Sequence, residues 1–227
     1  DPKSVLAYGR EPLMAYAHTR NDQGKRHDLV EHLQAVADLA SRFAAPFGAS
    51  RLAHYLGLWH DLGKFDPDFQ RYLLQAEAGK HAQGPDHKAA GVQIALKQGL
   101  GPLALLLQGH HGGLRNKQDL KRWLQRHAAA TSSALELAQD AIPGLFPESH
   151  LSLPGYAVGK GEIEFFLRLL FSALVDADFL DTEQHFSADR SGRRGNDTTL
   201  ATLWARFQED QRRFDDAPDT PVNRSRQ

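Results

Sequence analysis

An imidazole beside a carboxylate, His60-Asp61, closes the apolar run Leu52 to Trp59 and leads into Leu62-Gly63-Lys64. Burying such a pair is costly unless something binds it, and a divalent cation satisfies both groups. Asp61 has two oxygens, so it can touch one ion or bridge two. A second loaded stretch is Gln108-Gly109-His110-His111-Gly112-Gly113, where another apolar run ends in adjacent imidazoles among glycines. Glycine lets backbone come close to a ligand. His32 has Leu29, Ala35 and Val36 as its helical neighbours, which points its ring inward. His87 follows the capping residue Asp86. Asp176, Asp178 and Asp181 lie at the C-terminal part of a long apolar stretch. Carboxylates there oppose the helix dipole unless a cation compensates. Asp176 and Asp178 project about 200° apart on a helix, so at most one faces a given centre. Asp178 continues the Leu170/Leu174 row and is preferred, with Asp176 as its rival. His18 is either a contact or a loop histidine.

The elements that must position these groups are helical. Residues 1 to 27 read as irregular. Asp28 and Glu31 form a capping-box-like start for a helix running through Leu33, Val36, Ala40 and Phe43. Ser50 is expected to cap the helix that ends in His60-Asp61, with Gly63 as its stop. Asp66-Pro67 reads as cap and first residue of a third helix to about Glu77. After a loop over 78–86, a fourth helix is expected from His87 to Gln98, then a short apolar one over Leu103 to Leu107. Lys117 to Ala130 and Ser132 to Ala141 are amphipathic. Their face of Lys117, Lys121, Arg122 and Arg126 reads as solvated surface in preference to a strand-binding one. A Pro/Gly/Ser loop covers 143–161, and a long apolar helix opens at Glu162. Residues 187–197 read as a loop, Thr198 to Phe214 as a last helix and 215–227 as a linker. No period-two run suggests a strand, and no Gly-rich nucleotide loop is present.

Composition narrows the chemistry. The chain has 227 residues and a formal net charge of −1, so any basic groove must be local. Twelve histidines are a surplus, and no cysteine is present. That excludes thiolate sites and disulfides and leaves a His/carboxylate site as the strong option for a transition metal. No apolar run approaches the roughly 20 residues of a membrane span, and Asp1-Pro2-Lys3-Ser4 shows no leader pattern. The missing initiator Met suggests a processed or truncated terminus. The expected compartment is the cytoplasm.

In order, His32, His60-Asp61 and the acidic helix end near Asp178 resemble the H…HD…D pattern of the HD phosphohydrolase superfamily. His87 and His110-His111 are similar to its dinuclear branch. The closer resemblance is to the HD nuclease domain of the CRISPR-associated helicase-nuclease of type I systems. It rests on Leu29-Val-Glu-His32-Leu, Leu58-Trp-His-Asp-Leu-Gly-Lys64, Phe69-Gln-Arg-Tyr72-Leu, Asp86-His87-Lys-Ala-Ala-Gly91, Gly109-His-His-Gly-Gly113 and Leu174-Val-Asp-Ala-Asp-Phe-Leu-Asp-Thr-Glu183, across roughly residues 16 to 186. The Ser that often follows the His87 position in that family is missing. The tail Pro221 to Gln227 is similar to the linker leading to the helicase part.

The resemblance implies an all-α HD-domain bundle around a one- or two-metal site, spanning 1–214. By the same token His32, His60, Asp61 and Asp178 hold one ion, and Asp61, His87, His110 and His111 the second, with Asp61 bridging. Asp61 and Lys64 are the expected catalytic residues, Lys64 neutralising a phosphate; its other reading is a helix-terminal cation. Two ions about 3.5–4 Å apart clamp a scissile phosphate. Histidine-rich ligation suits Mn, Fe, Co or Ni better than Mg. Expected partners are single-stranded DNA, a helicase domain (fused or separate) and an RNA-guided CRISPR surveillance complex, with no membrane. An HD phosphohydrolase acting on nucleotides and a catalytically silent helical interaction module are the alternatives.

Overall fold

The computed structural model of the protein describes residues 14–80, 83–127, 131–194, 198–214, 218 and 220–224. Two units are distinguished, residues 1–188 and 189–227. The first begins with a small antiparallel pair, β1 (Tyr16–His18) against β2 (His27–Asp28). Irregular chain was expected here, because two or three residues are too few to display a period-two pattern. Glu77 stabilises this hairpin from outside, accepting from the Arg20 amide at 3.0 Å and from the Arg26 guanidinium at 2.7 Å. The remainder of the N-terminal stretch, 1–13, lies outside the described residues.

Asp28 accepts from the Glu31 amide and caps α1 (Leu29–Ala44). Leu29, His32, Leu33, Val36, Ala37, Ala40 and Ala44 are buried, the single stripe that a 3.6-residue period brings to one side. This stripe packs on α2 (Ser50–Trp59) and on α8 (Lys160–Phe186). Ser50 is the first residue of α2, not its cap; Ala49 takes the cap position with no side-chain bond. After α2 a 3₁₀ turn (Leu62–Phe65) carries the rest of the first motif. Asp66 then caps α3 (Pro67–Glu77) through the Asp68 amide.

Helices α4 (Ala89–Lys97) and α5 (Gly101–Gly109) pack on each other and complete the core with Val92, Ile94, Leu103 and Leu107. Helix α6 is described over Lys117–His127, the expected continuation to Ala130 lying outside the described residues, and α7 (Ser132–Ala141) lies against the 3₁₀ turn. Trp59 donates its indole N–H to the Leu145 carbonyl at 2.9 Å inside the core. Helix α8 has 27 residues and starts two residues ahead of Glu162.

A short α9 (Ala188–Gly192) occupies part of what read as loop. In the second unit Thr199 caps α10 (Leu200–Gln211) through the Thr202 amide. One further turn, α11 (Pro221–Arg224), falls in the stretch read as linker; 215–217, 219 and 225–227 lie outside the described residues. The fold is all-α, and among the described residues the two-stranded hairpin is the only sheet. Among the described residues no helix is long and apolar enough to cross a membrane.

Candidate metal centre

Two close backbone contacts decide where the side chains meet. Gly63 donates its amide to the His87 carbonyl at 2.9 Å, and a Cβ on Gly63 would run into the His87 backbone. A glycine read as a helix stop is therefore a contact residue. Gly91 plays the same part in α4, where a Cβ would strike the Trp59 carbonyl. The bond from Gly63 also corrects the position of His87. Asp86 does cap α4, accepting from the Lys88 and Ala89 amides at 3.1 and 3.0 Å. But the helix begins at Ala89, and His87 is held in the preceding loop with its carbonyl committed to Gly63.

Asp61 sits at the middle of the cluster, fully buried. Its Oδ1 faces the Nε2 atoms of His110 at 3.2 Å, His87 at 3.5 Å and His111 at 3.9 Å. Its Oδ2 faces His60 Nε2 at 3.4 Å, His32 Nε2 at 3.8 Å and Lys64 Nζ at 2.6 Å. Asp178 Oδ1 lies 3.5 Å from His32 Nε2 and 3.6 Å from His60 Nε2. Asp176 is exposed on the other side of α8, with Ser172 as its neighbour at 3.5 Å. Helical phase thus brings Asp178 to the cluster and leaves its rival outside.

The structure satisfies these imidazoles at the back and leaves them open at the front. His60 Nδ1 donates to the Gly57 carbonyl and His110 Nδ1 to the Leu107 carbonyl, both at 2.7 Å. His32 Nδ1 bonds Asp181 Oδ2 at 2.6 Å. A carbonyl acceptor fixes a proton on Nδ1, so Nε2 is the atom that ligates in the neutral ring. The buried Nε2 atoms of His32, His60, His87 and His110 have no hydrogen-bond partner, and both Asp61 oxygens are likewise unsatisfied, Lys64 meeting Oδ2 as an ion pair only. Buried polar groups left in this state are costly. Their shared direction explains the arrangement: ligand atoms of Asp61, His87, His110 and His111 lie within 4.8 Å of one another, as do those of His32, His60 and Asp61. Each of these two sets could hold a divalent cation, and their imidazole and carboxylate donors fit one.

Electrostatics agree. Burial favours the neutral form of Asp61, yet Lys64, His60 and His87 hold its carboxyl well below the usual range. Burial likewise opposes charge on Asp178, but His60, 3.6 Å away, keeps it ionised. For His60 burial works against the proton, while Asp61 and Asp178 raise its pKa to about 10. A negatively charged pocket that would otherwise retain a proton suits a cation. Burial lowers His87, and burial with His110 lowers His111 to about 4, so both stay neutral and able to ligate near pH 7.

Lys64 is buried, donating to the Ala17 carbonyl at 3.0 Å as well as meeting Asp61. Its ammonium is inside the cluster, while its backbone stands in the last turn of the 3₁₀ helix. Three groups escaped the sequence reasoning or were left without a role. Asp181 backs His32 and also faces His27 Nε2 at 3.3 Å. His27 stacks on His185 with centroids 4.5 Å apart. His18 Nδ1 meets His27 Nδ1 at 3.1 Å. His18, His27 and His32 also have ligand atoms within 4.8 Å of one another. Asp181 stands three residues beyond Asp178 on the same face, the one signal that could have marked it.

A helical bundle enclosing a His/Asp cluster of this kind defines an HD domain. The family model described as Cas3, HD domain matches residues 16–157, and the chain belongs to that family. No curated relative matches it. Membership implies a metal-dependent nuclease of type I CRISPR systems, a hydrolase acting on phosphodiester bonds, with divalent metal as its cofactor. The match includes His32, His60-Asp61, His87 and His110-His111 and ends ahead of α8, so Asp178 is placed in the site by geometry alone.

Proposed function

We propose that this domain cuts single-stranded DNA at a dinuclear centre during type I CRISPR interference. The observation that carries this is the pair of unsatisfied donor sets on opposite oxygens of one buried carboxylate. In that reading His32, His60, Asp61 and Asp178 hold one ion, and Asp61, His87, His110 and His111 the other. Such ions supply Lewis-acid stabilisation of charge on a phosphodiester and lower the pKa of an attacking water. Asp61 fixes the separation of the two sites, because its oxygens face different histidines. Lys64 holds Asp61 ionised and in place, and it also lines the adjoining cavity, from which it would neutralise a phosphate bound there. His60 and His110, pinned through Nδ1, keep their donor atoms aimed at the centre without reorganisation.

The histidine content favours Mn, Fe, Co or Ni over Mg. We further propose that 1–214 is the nuclease domain and that 215–227 connects it to a helicase part, fused or separate, which works in the cytoplasm with an RNA-guided surveillance complex. The test is cleavage of circular single-stranded DNA by the purified protein, with elemental analysis and a parallel panel of deoxynucleoside triphosphates. Linear products that appear with Mn or Ni and vanish with chelator support the reading. Hydrolysis of the triphosphates with DNA left intact would replace it by a nucleotide phosphohydrolase. Neither activity, together with no bound metal, would indicate a silent interaction module.

A further inference from the structure

Beside the centre lies a cavity of about 370 Å³, and three of its lining residues are Lys64, His87 and His111. It is therefore continuous with the place where the reacting phosphate must sit. Aromatic side chains supply much of the rest: Phe69 and Tyr72 of α3, and Phe186 at the end of α8. Phe69 is buried, with its ring centroid 5.9 Å from that of Tyr72, 5.4 Å from that of His87 and 5.7 Å from the Lys64 ammonium. Phe186 is 38% exposed and meets His18 edge-on at 5.8 Å. Gly84 closes on the Tyr72 ring, where a Cβ would come within 3.0 Å of it.

The size is near the lower end of small-ligand sites, about 300–1,000 Å³. One nucleoside can be accommodated; a base still paired to its complement cannot enter. Among the described residues no carboxylate, carboxamide or guanidinium lines the cavity to read base edges in bidentate fashion, and the lining Lys64 is committed to Asp61 and to the Ala17 carbonyl. The largest share of the described lining is ring surface, which every base can use.

Resting on the nuclease reading above, we propose that this cavity takes the unpaired base next to the scissile phosphate and holds it by stacking, without regard to its identity. The backbone is thereby set in line with the centre, and a duplex is excluded because its bases are not free to leave their partners. Tyr72 and Phe186 are positioning residues for the substrate.

The test is an abasic scan. Single-stranded oligonucleotides each carry one abasic residue at successive positions and are cut by the metal-loaded parent, Tyr72→Leu and Phe186→Ala proteins. For the parent we expect about a tenfold loss when the gap falls at one position beside the cut and little loss elsewhere. Each variant should lose a similar factor on intact DNA and lose little more when that base is missing, with metal content unchanged. Homopolymers of different bases should be cut at rates within a few-fold. Uniform tolerance of the missing base, or losses that multiply between variant and gap, would overturn the proposal. Should the parent bind DNA yet fail to cut it, the nuclease reading fails by itself. The subsite is then decided by quenching of a single 2-aminopurine in that complex, which must weaken in Phe186→Ala; no quenching at any position refutes it.

Discussion

The two halves of the centre are built differently. On the Oδ2 side of Asp61, His32 and His60 are fully buried on α1 and at the end of α2, and both rings are braced from behind by Asp181 and the Gly57 carbonyl. On the Oδ1 side only His110 is braced in that way, through Leu107. His87 stands on a loop, and the side chain of His111 is 46% exposed. Braced ligands lose less freedom when an ion binds, so the inner half should bind more tightly. The outer half borders the aromatic cavity, through His87 and His111. The contrast teaches that one carboxylate can join a structural-grade site to an adaptable one.

The most severe way to break this comparison is to remove what joins the halves. Asp61→Ala should lower cleavage by about 10³-fold or more and strip the metal, since both ions lose a ligand and Lys64 loses its counter-charge. Elemental analysis and cleavage rates check this, with circular dichroism to follow the fold; a variant that keeps full activity would end the dinuclear reading. A finer cut separates the halves. Asp181→Asn keeps the shape but removes the charge behind His32, and should weaken the tighter of two metal-binding steps by about 10–100-fold while sparing the weaker one. Competition with a chromogenic chelator resolves the two steps, and equal losses in both would dissolve the distinction.

The smallest effect is a proton. Without metal, His60 holds its proton up to a pKa of about 10, and its Nε2 must lose that proton to ligate. Loading the inner half between about pH 7 and 9 should therefore release about one proton. His87 and His111, whose pKa values are lowered, should release almost none in the outer half. The sign follows: inner-site affinity rises with pH, by up to about tenfold per unit below the His60 pKa. Calorimetric titration in buffers of different ionisation enthalpy measures the release, and identical values for both steps would contradict the contrast.

Most of the fold was legible because the helices carry clear apolar stripes, such as Leu29, Leu33, Val36 and Ala40 in α1. His32, His60, Asp61, His110, His111 and Asp178 stood out from their places on or at the ends of apolar helical runs, His87 joined them through the family pattern, and the structure brings all seven to one place. What stayed hidden depends on contacts between distant segments. Asp181 braces His32 across 149 residues, a pairing that only the docking of α8 on α1 creates. The hairpin was hidden for another reason: its two short strands are held by Gln70 and Glu77 from α3 as much as by their own pairing.

Gly63 carries no functional group, yet it is the point where two chain segments touch without a side chain between them. Any larger residue there would lever the His87 loop off Asp61 and disconnect the outer half while leaving every ligand in the sequence. A scan of all substitutions should consequently find this silent position nearly as intolerant as the carboxylate two residues before it, and an inventory of ligands alone would misjudge such a variant as intact.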